Sequence, residues 1–432
     1  MNCPVVMKFG GASLGCAESI LRVARLIQQQ QKHTRVIVIV SGCGNVTNDL
    51  ETILADPHKP SQKRALEQVK LFHSELLRQC ALTLQAEPEL TATQHVIYDL
   101  CDHALELLDY PEVAHDDLLT LGERLSAQIM IGVLRVLGLS CGYLDAAEFI
   151  HLCGEKSEHQ PAIEKISRLL QQVARQAKHV NVSEGFIARA EDGQIATLGR
   201  NGSDTTAAIW AVALNASRLE IWKEVKGLCN ADPNIIPEAN LITDIAFDDL
   251  CVLSQFGASV IHYPALQLLR QQRLILSLKC PKNPNTPKAT HIHFGGERPP
   301  VSALALLSGV QVLPHGEHLG LFCVDKGAAE LRFVMELFLQ NKILHALQKI
   351  QKSQSLLLLT LFSNQFAIDI QALKSQLSKH GISVLAVCSD GANECVNLVI
   401  VAEEKAQAMR IAHAQLRQQI TQSQCIEVND AV

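Results

Sequence analysis

The residues best suited to chemistry lie near the amino terminus, where an apolar run ends in a lysine and two glycines. Val5-Val-Met7 leads directly into Lys8-Phe-Gly-Gly-Ala-Ser-Leu-Gly15. Glycines let the backbone approach a ligand closely, and the start of a helix presents unpaired N–H groups that favour an anion. Because the lysine adds a positive charge, this segment predicts a phosphate-binding loop. Strand-glycine-helix junctions that bind nothing are also common, so the segment alone leaves both interpretations open.

A second glycine-rich segment suits phosphoryl transfer. Its candidate residues are Gly199, Arg200, Gly202, Ser203, Asp204 and Thr205. The glycines let the backbone approach a ligand closely, and the serine and threonine hydroxyls can form hydrogen bonds with its oxygen atoms. Arg200 can hold a carboxylate with two hydrogen bonds. Asp204 lies where a helix is predicted to begin, over 205–216. The alternative is that Asp204 is only the N-cap of this helix and Ser203 only a turn residue.

The elements around these loops alternate between strand and helix. The spacing of Ile20, Val23, Ala24 and Ile27 predicts a helix over 17–31. The β-branched run 36–40 predicts a buried strand, and the small-residue loop Ser41–Asn48 follows it. Such alternation is typical of a parallel sheet flanked by helices, in which ligands gather at the carboxyl ends of the strands. We therefore expect the glycine loops to share one site.

The rest of the chain divides into three stretches. Residues 61–150 have a mostly helical pattern, and a further strand is predicted at 179–182. The segment 281–300 is rich in proline and glycine, which predicts a loop and a domain boundary. Beyond it, strand and helix patterns recur, with a final helix expected over 403–418.

Composition narrows the class of protein. A net charge of -6 and an aromatic content of 4% argue against a nucleic-acid partner. No apolar run is long enough to span a bilayer, and no signal segment is recognised at the amino terminus. The fourteen cysteines show no metal-binding spacing, which indicates reduced thiols and no protein-held metal. We expect a cytoplasmic protein with no membrane partner.

Six motifs in order resemble those of the aspartate kinases, a family with the amino-acid kinase fold. They are KFGGAS, SGCGNVTN, LGERLSA, FIARAEDGQIATLGRNGSDTTAA, WKEVKGLCNADPN and FGASVIHYP, within residues 3–290. The resemblance implies an α/β catalytic domain over 1–295, with a parallel-rich sheet sandwiched by helices. It also implies an α+β ACT-like regulatory or dimerisation region over 303–432. The implied reaction is phosphorylation of the side-chain carboxylate of L-aspartate by ATP and Mg²⁺, the entry step to lysine, threonine and methionine.

The resemblance also implies roles for individual residues. Lys8 and Asp204 match the catalytic positions. Nucleotide contacts are implied for Lys8, Gly10, Gly11, Ser13, Lys223, Glu224, Cys229 and Asp232. Aspartate contacts are implied for Ser41, Thr47, Glu123, Arg200, Gly202 and Ser203. Among these, Arg200 would hold the α-carboxylate and Glu123 the ammonium group, although Glu123 could also be an ordinary surface glutamate of a helix.

Several positions depart from the family pattern. Ala12, Cys229, Asn234 and Ser259 replace a threonine, an aromatic residue, an arginine and a lysine, and Lys223-Glu224 replaces the Thr-Asp of many bacterial members. Lys223-Glu224 resembles the plant and fungal type and is interpreted as a feature of that branch, whereas the other four changes predict weakened or rearranged ATP binding. Two other functions stay open: a glutamate or N-acetylglutamate kinase, and an amino-acid sensor whose kinase site has decayed. The resemblance further implies a homodimer or higher homo-oligomer with lysine or threonine as effector, or a region that only dimerises.

Overall fold

The structure is a computed structural model that describes most of the chain. The described residues are 3–154, 160–174, 178–199, 201–225, 227–258, 261–282, 284, 290–295, 298–315, 318–324, 331–337, 355–389 and 394–430. Two compact units are present. The first comprises Met1–Lys226 and Pro264–Ala289, and the second comprises Gly227–Tyr263 and Thr290–Val432.

The first half of the chain contains both strands and helices, with five helices in succession between β2 and β3. The strands are β1 Val5–Phe9, β2 Val36–Val40, β3 Cys141–Tyr143, β4 Leu152–Cys153, β5 Gln160–Pro161, β6 Val180–Glu184, β7 Ile187–Arg189, β8 Ile195–Thr197, β9 Arg218–Trp222, β10 Asp244–Ala246, β11 Leu276–Lys279, β12 His291–His293, β13 Ser302–His315, β14 His318–Val324, β15 Leu331–Leu337, β16 Leu356–Ser363, β17 Ala386–Ser389 and β18 Cys395–Val401. The helices are α1 Ala17–Gln30, α2 Val46–Ala55, α3 Lys59–Leu84, α4 Glu87–Leu107, α5 Pro111–Leu119, α6 Leu121–Val136, α7 Ala146–Phe149, α8 Ile163–Ala174, α9 Gly202–Ala213, α10 Phe247–Gln255, α11 Tyr263–Gln272, α12 Ile370–Lys379 and α13 Lys405–Asp430.

The first unit is built on a parallel sheet, as the alternating pattern predicts. Six of its strands run in the order β11-β9-β1-β2-β6-β3, and every pairing between them is parallel. Strands β1 and β2 are buried along their whole length, which explains their continuous apolar and β-branched sequences. Helix α1 covers the sheet with the predicted face, since Ile20, Val23 and Ile27 are all buried. The parallel-rich α/β fold is therefore confirmed.

The register of the sheet brings three loops to one edge. Phe9, the last residue of β1, pairs with Val40 on one side and with Trp222 on the other. The chain segments that follow β1, β2 and β9 therefore leave the sheet side by side. This arrangement places the segments after Phe9, Val40 and Trp222 around a common space.

The second unit contains an antiparallel sheet with helices packed against it. Its six strands run in the order β15-β14-β13-β16-β18-β17. Strands β10 and β12 pair with each other in parallel. Leu357, Leu359 and Leu361 of β16 share a core with Leu373 of α12 and Met409 of α13. This unit has the α+β character that the sequence predicts. The sequence shows no clearly recognisable effector loop of the family at 324–327, and of these residues only Val324 belongs to the described part of the chain.

Two local predictions were wrong. Helix α9 begins at Gly202 and ends at Ala213, so Asp204 lies in its first turn and is not the N-cap. The N-cap is Asn201, whose φ of 57° turns the chain through the left-handed region and lets the helix begin early. The segment 281–300 is not a loop throughout, because it contains β12, which pairs with β10.

The helices that the structure describes were also compared with the thickness of a membrane. None of them has both the length and the apolar character needed to cross a bilayer.

Candidate active site

A cleft of about 470 Å³ opens at the edge of the first-unit sheet where the three loops meet. Most of the predicted site residues line it. They are Lys8, Gly10, Gly11, Ser13, Ser41, Thr47, Glu123, Gly202, Ser203, Lys223 and Glu224. Residues from β1, from the loop after β2, from α6, from the start of α9 and from the end of β9 thus converge on one space.

The floor of the cleft holds a buried aspartate between two lysines. Asp204 is completely buried, and its Oδ1 lies 2.7 Å from Nζ of Lys8. Its Oδ2 lies 3.2 Å from Nζ of Lys223. Burial alone would raise the pKa of Asp204, but the ammonium groups of Lys223 and Lys8 hold it well below its usual range. Asp204 is therefore ionised at neutral pH and fixes both lysines at the cleft.

The glycine loops pack against each other so closely that side chains are excluded. A Cβ atom on Gly11 would lie 2.6 Å from the carbonyl oxygen of Gly44 and 2.7 Å from that of Gly42. The two loops are tied by a hydrogen bond of 2.9 Å from the Gly44 N–H to the Gly11 carbonyl. Gly10 is anchored to the sheet, since its N–H donates to the Trp222 carbonyl at 3.2 Å. This backbone can approach a ligand without steric hindrance.

One residue that lines the cleft carries a buried hydroxyl. Ser13 lines the cleft, its side chain is buried, and its Oγ has no hydrogen-bond partner among the described residues. A buried hydroxyl without a partner is costly unless a ligand satisfies it. Ser13 is therefore well placed to bind a ligand oxygen.

Another wall of the cleft presents a buried carboxylate. Glu123, in the first turn of α6, is 2% exposed. Its Oε1 accepts hydrogen bonds from the Gly42 N–H at 3.0 Å and from the Thr47 hydroxyl at 3.2 Å. Its Oε2 has no hydrogen-bond partner in the described part of the chain. Burial raises the pKa of Glu123 to about 7, against the lowering effect of these hydrogen bonds. The surface-glutamate alternative is thereby excluded, and the carboxylate is available for a cationic group.

The start of α9 is held in place by close packing. A Cβ on Gly185 would lie 2.4 Å from the Cβ of Ser203, so the chain after β6 presses directly against the helix start. Phe186 has a φ of 72°, rare for a non-glycine residue. Its N–H donates to the Thr206 hydroxyl at 2.8 Å. Phe186 also lines the cleft, and its position next to a glycine after a strand is the one feature of the sequence that could have indicated this.

Three predicted site residues are not among the described residues that line or floor this cleft. Arg200 lies outside the described residues. Cys229 and Asp232 belong to the second unit. There, Cys229 forms an isolated bridge with Leu241, and Asp232 accepts a hydrogen bond of 2.9 Å from the Asn234 N–H within a turn. Their predicted role as nucleotide contacts remains a prediction.

Comparison with known proteins places these features in a family. The model of the amino acid kinase family matches residues 4–276. The chain is 29% identical over 261 residues to Lysine-sensitive aspartokinase 3 of Escherichia coli (strain K12), a match that covers 60% of this chain and 57% of that protein. It is 32% identical over 286 residues to Bifunctional aspartokinase/homoserine dehydrogenase 2 of the same organism, covering 64% of this chain and 34% of that protein. The matches thus span less than two thirds of these relatives.

The fold is also shared with a solved structure. The crystal structure of E. coli aspartokinase III in complex with aspartate and ADP (R-state) matches with a TM-score of 0.79 and 21% sequence identity. The match covers 95% of this chain and 99% of that chain. Since the family model spans more than half of the sequence, the chain belongs to the amino acid kinase family.

Proposed function

We propose that this chain is an aspartate kinase, which transfers the γ-phosphoryl group of Mg-ATP to the side-chain carboxylate of L-aspartate. The products are L-4-aspartyl phosphate and ADP. The observation that carries the proposal is a single cleft that joins the buried Lys8–Asp204 pair to the buried, partly unsatisfied carboxylate of Glu123. The first arrangement suits a phosphate, and the second suits the ammonium group of an amino acid. Similarity to proteins named aspartokinases supports the choice of acceptor.

On the nucleotide side, the ammonium groups of Lys8 and Lys223 would neutralise the phosphates. The backbone at Gly10 and Gly11 would approach the phosphate oxygens, and the buried Ser13 hydroxyl would donate to one of them. Glu224, ion-paired with Lys282 at 2.9 Å, borders the same space. These groups supply positioning and charge neutralisation, which are the main requirements of phosphoryl transfer.

On the acceptor side, Glu123 would bind the substrate ammonium group through Oε2. Ser41, Thr47 and Ser203 would donate hydroxyl hydrogen bonds to the substrate, next to the backbone of Gly202. Arg200 would hold the α-carboxylate, a role that rests on the sequence alone. With its ammonium group at Glu123 and its α-carboxylate at Arg200, the substrate would direct its side-chain carboxylate toward Lys8.

The chemistry follows from the acceptor itself. A carboxylate oxygen attacks the γ-phosphorus while the bond from phosphorus to the β,γ-bridging oxygen breaks, and the electron pair leaves with ADP. No proton has to be removed from the nucleophile, so no strong general base is needed. The protein has to bring two anions together, and the lysines at the cleft would reduce their repulsion.

Magnesium is proposed to enter as part of the nucleotide substrate. The described residues hold no group of three or more His, Cys, Asp or Glu side chains arranged to bind a metal. Mg²⁺ is often bound chiefly by phosphate oxygens and water. Bound there, it would neutralise charge on the β- and γ-phosphates.

We propose catalytic function for residues 1–295 and a regulatory role for the ACT-like region over 303–432. This region would bind an amino-acid effector, lysine or threonine, in a homodimer or higher homo-oligomer. The name of the lysine-sensitive relative supports lysine in particular. Inhibition curves with both amino acids test the proposal, and identical rates in their presence and absence would leave only the dimerising role.

An acceptor series tests the reaction. ADP release from Mg-ATP is measured with L-aspartate, L-glutamate, N-acetyl-L-aspartate and N-acetyl-L-glutamate. We expect turnover with L-aspartate and a large loss with N-acetyl-L-aspartate, because acetylation removes the charge that Glu123 would bind. Preference for N-acetyl-L-glutamate would contradict the proposal and favour another kinase of the same family.

A further inference from the structure

We infer that Glu184 is a positioning residue, whose buried side chain holds the turn that forms one wall of the acceptor side of the cleft. This turn consists of Gly185 and Phe186, which directly follow β6. The inference rests on the proposed function for the identity of the acceptor. The contacts that carry it all lie within the first unit and do not depend on which acid is phosphorylated. The inference and the proposed function can therefore fail separately.

The side chain of Glu184 links the end of β6 to the segment that follows β3. Glu184 is completely buried. The Tyr143 hydroxyl, at the end of β3, donates a hydrogen bond to its Oε1. The Ala146 N–H donates to its Oε2 at 3.1 Å. Because β3 pairs with β6 in the sheet, this side chain fastens the last residue of β6 to its neighbouring strand just where the chain turns into the cleft.

The shape of Glu184 is better suited to this task than its charge. Burial raises the pKa of Glu184 to about 7, the hydrogen bond from Tyr143 opposes this effect, and the carboxylate of Asp145 adds to it. The nearby cation Arg124 is ion-paired with Asp145 at 3.5 Å. A protonated carboxyl or an amide offers one donor and one acceptor, so a side chain of this shape can make both hydrogen bonds without a charge.

The first residue of the turn joins two other elements of the site. The Gly185 N–H donates to the Val40 carbonyl at 2.7 Å, which extends the pairing of β6 with β2. On its other side Gly185 packs against Ser203, where a Cβ atom on the glycine would lie 2.4 Å from the serine Cβ. A shift of Gly185 would therefore move Ser203, a proposed contact of the acceptor.

The second residue of the turn has a strained backbone. Phe186 has a φ of 72°, and such a conformation persists only where the surroundings hold it. Its N–H donates to the Thr206 hydroxyl at 2.8 Å, and that hydroxyl donates to the Gly202 carbonyl at 3.1 Å. Its carbonyl accepts from the Leu198 N–H at 2.8 Å. These bonds hold Phe186 from the side of α9, and Glu184 supplies the anchor that precedes it in the chain.

The proposed nucleotide contacts are anchored elsewhere in the sheet. Lys8 lies in β1, Lys223 follows β9, and β2 separates both of these strands from β6. Loosening of the turn after β6 should therefore weaken acceptor binding far more than nucleotide binding. A general loss of stability would not produce this difference.

The test compares Glu184→Ala with Glu184→Gln and with Tyr143→Phe. Tyr98→Phe is the matched control, because Tyr98 is 39% exposed against 37% for Tyr143 but lies on α4, outside the cleft lining. The KM for L-aspartate is measured for each protein, and the dissociation constant of ATP is measured by calorimetry. Hydrogen–deuterium exchange of the peptide over 184–189 is followed without ligand, and thermal melting establishes that each variant is folded.

We expect Glu184→Ala to raise the KM for L-aspartate about tenfold, since both hydrogen bonds that hold the turn are lost. The dissociation constant of ATP should change by less than about twofold. The peptide over 184–189 should exchange faster, with no change in peptides from β1. Glu184→Gln should recover most of these losses, and Tyr143→Phe should raise the KM about threefold. Tyr98→Phe should match the wild type.

A folded Glu184→Ala protein with either the wild-type KM or the wild-type exchange rate would overturn the inference. Equal weakening of aspartate and ATP binding would overturn it too, as would a Glu184→Gln protein as impaired as Glu184→Ala, since the charge would then be what matters. If Glu184→Ala does not fold, equal KM values for Tyr143→Phe and Tyr98→Phe would have the same meaning. If the wild type phosphorylates no aspartate, the proposed function fails, and the exchange comparison still decides the role of Glu184.

Discussion

Nζ of Lys8 lies 2.7 Å from Oδ1 of Asp204, and both side chains are almost completely buried at the base of the cleft. The contact joins the end of the central strand β1 to the first turn of α9, which are distant in sequence. A buried ion pair stabilises little by itself, but removing one partner leaves an uncompensated charge. Replacing one residue of the pair is therefore expected to lower the stability of the fold as well as to impair the proposed reaction.

Asp204→Asn should both destabilise the protein and abolish most activity. The change leaves Lys8 and Lys223 close together without their shared carboxylate, which should cost about 3 kcal/mol of unfolding free energy. We expect kcat to fall by at least about 100-fold. Asp102→Asn, which breaks the exposed pair with Lys70, is the control and should change stability by less than about 1 kcal/mol. Urea unfolding and steady-state kinetics give both values, and equal effects of the two substitutions would contradict the account.

Gly11→Ala should disrupt the phosphate-binding loop by steric clash. The added Cβ would meet two backbone carbonyl oxygens at 2.6 Å and 2.7 Å, and backbone cannot move aside as a flexible side chain can. We expect a loss of about 1–3 kcal/mol in stability. Gly10→Ala is a matched control, since its nearest neighbours would be 3.9 Å away. Differential scanning calorimetry of both variants tests this, and a Gly11→Ala midpoint as high as that of Gly10→Ala would refute it.

The binding of aspartate should strengthen as Glu123 ionises. Burial raises the pKa of Glu123 to about 7, and only the ionised form attracts an ammonium group. The KM for aspartate should therefore rise about tenfold for each pH unit below 7 and level off above it. Glu123→Gln should have a high KM with no such dependence. A wild-type KM that is flat between pH 6 and 8 would show that Glu123 does not bind the ammonium group.

The same shift predicts how stability changes with pH. Because the folded pKa lies above the ordinary value of 4.5, the folded state binds this proton more tightly than the unfolded state does. The stabilisation is present below pH 4.5 and is lost as pH rises through about 7, by an amount on the order of 3 kcal/mol. Glu123→Gln should gain stability relative to the wild type between pH 5 and 8, as measured by urea unfolding. A constant difference across that range would contradict the shift.

Asn364 should be important for the stability of the second unit. Its side-chain amide donates to Asp249 Oδ2 at 2.8 Å and to the Pro299 carbonyl at 2.9 Å, and its Oδ1 accepts from the Val301 N–H at 2.8 Å. Asn364→Ala leaves the buried Asp249 carboxylate with one donor fewer, so we expect a loss of about 2–3 kcal/mol. The exposed Asn234→Ala is the control, expected to cost less than about 1 kcal/mol. Equal melting temperatures would disprove the role of Asn364.

Much of the site could be predicted because its loops follow recognisable strands. The β-branched residues of β1 and β2 identify buried parallel strands, and parallel strands deliver their loops to one edge. The pairing of Lys223 with Asp204 was not predicted, because it depends on β9 lying next to β1 in the sheet. The residue pattern within one segment of the sequence does not reveal the order of the strands in the sheet.

Backbone conformation limited the prediction elsewhere. Asn201 and Phe186 both have positive φ, at 57° and 72°, although neither is glycine. Tertiary contacts, such as the hydrogen bond from the Phe186 N–H to Thr206, hold such conformations in place. Local propensity therefore placed the start of α9 three residues too late and missed Phe186 as a cleft residue. Similarly, the burial that raises the pKa of Glu123 depends on packing between distant segments.

The most direct test of the central claim is capture of the acyl phosphate. Purified protein is incubated with L-aspartate, Mg-ATP and hydroxylamine, and aspartyl hydroxamate is measured for the wild type, Lys8→Met and Lys70→Met. The account predicts hydroxamate from the wild type and from Lys70→Met, and almost none from folded Lys8→Met. No hydroxamate from folded wild-type protein, or equal amounts from all three, would contradict it.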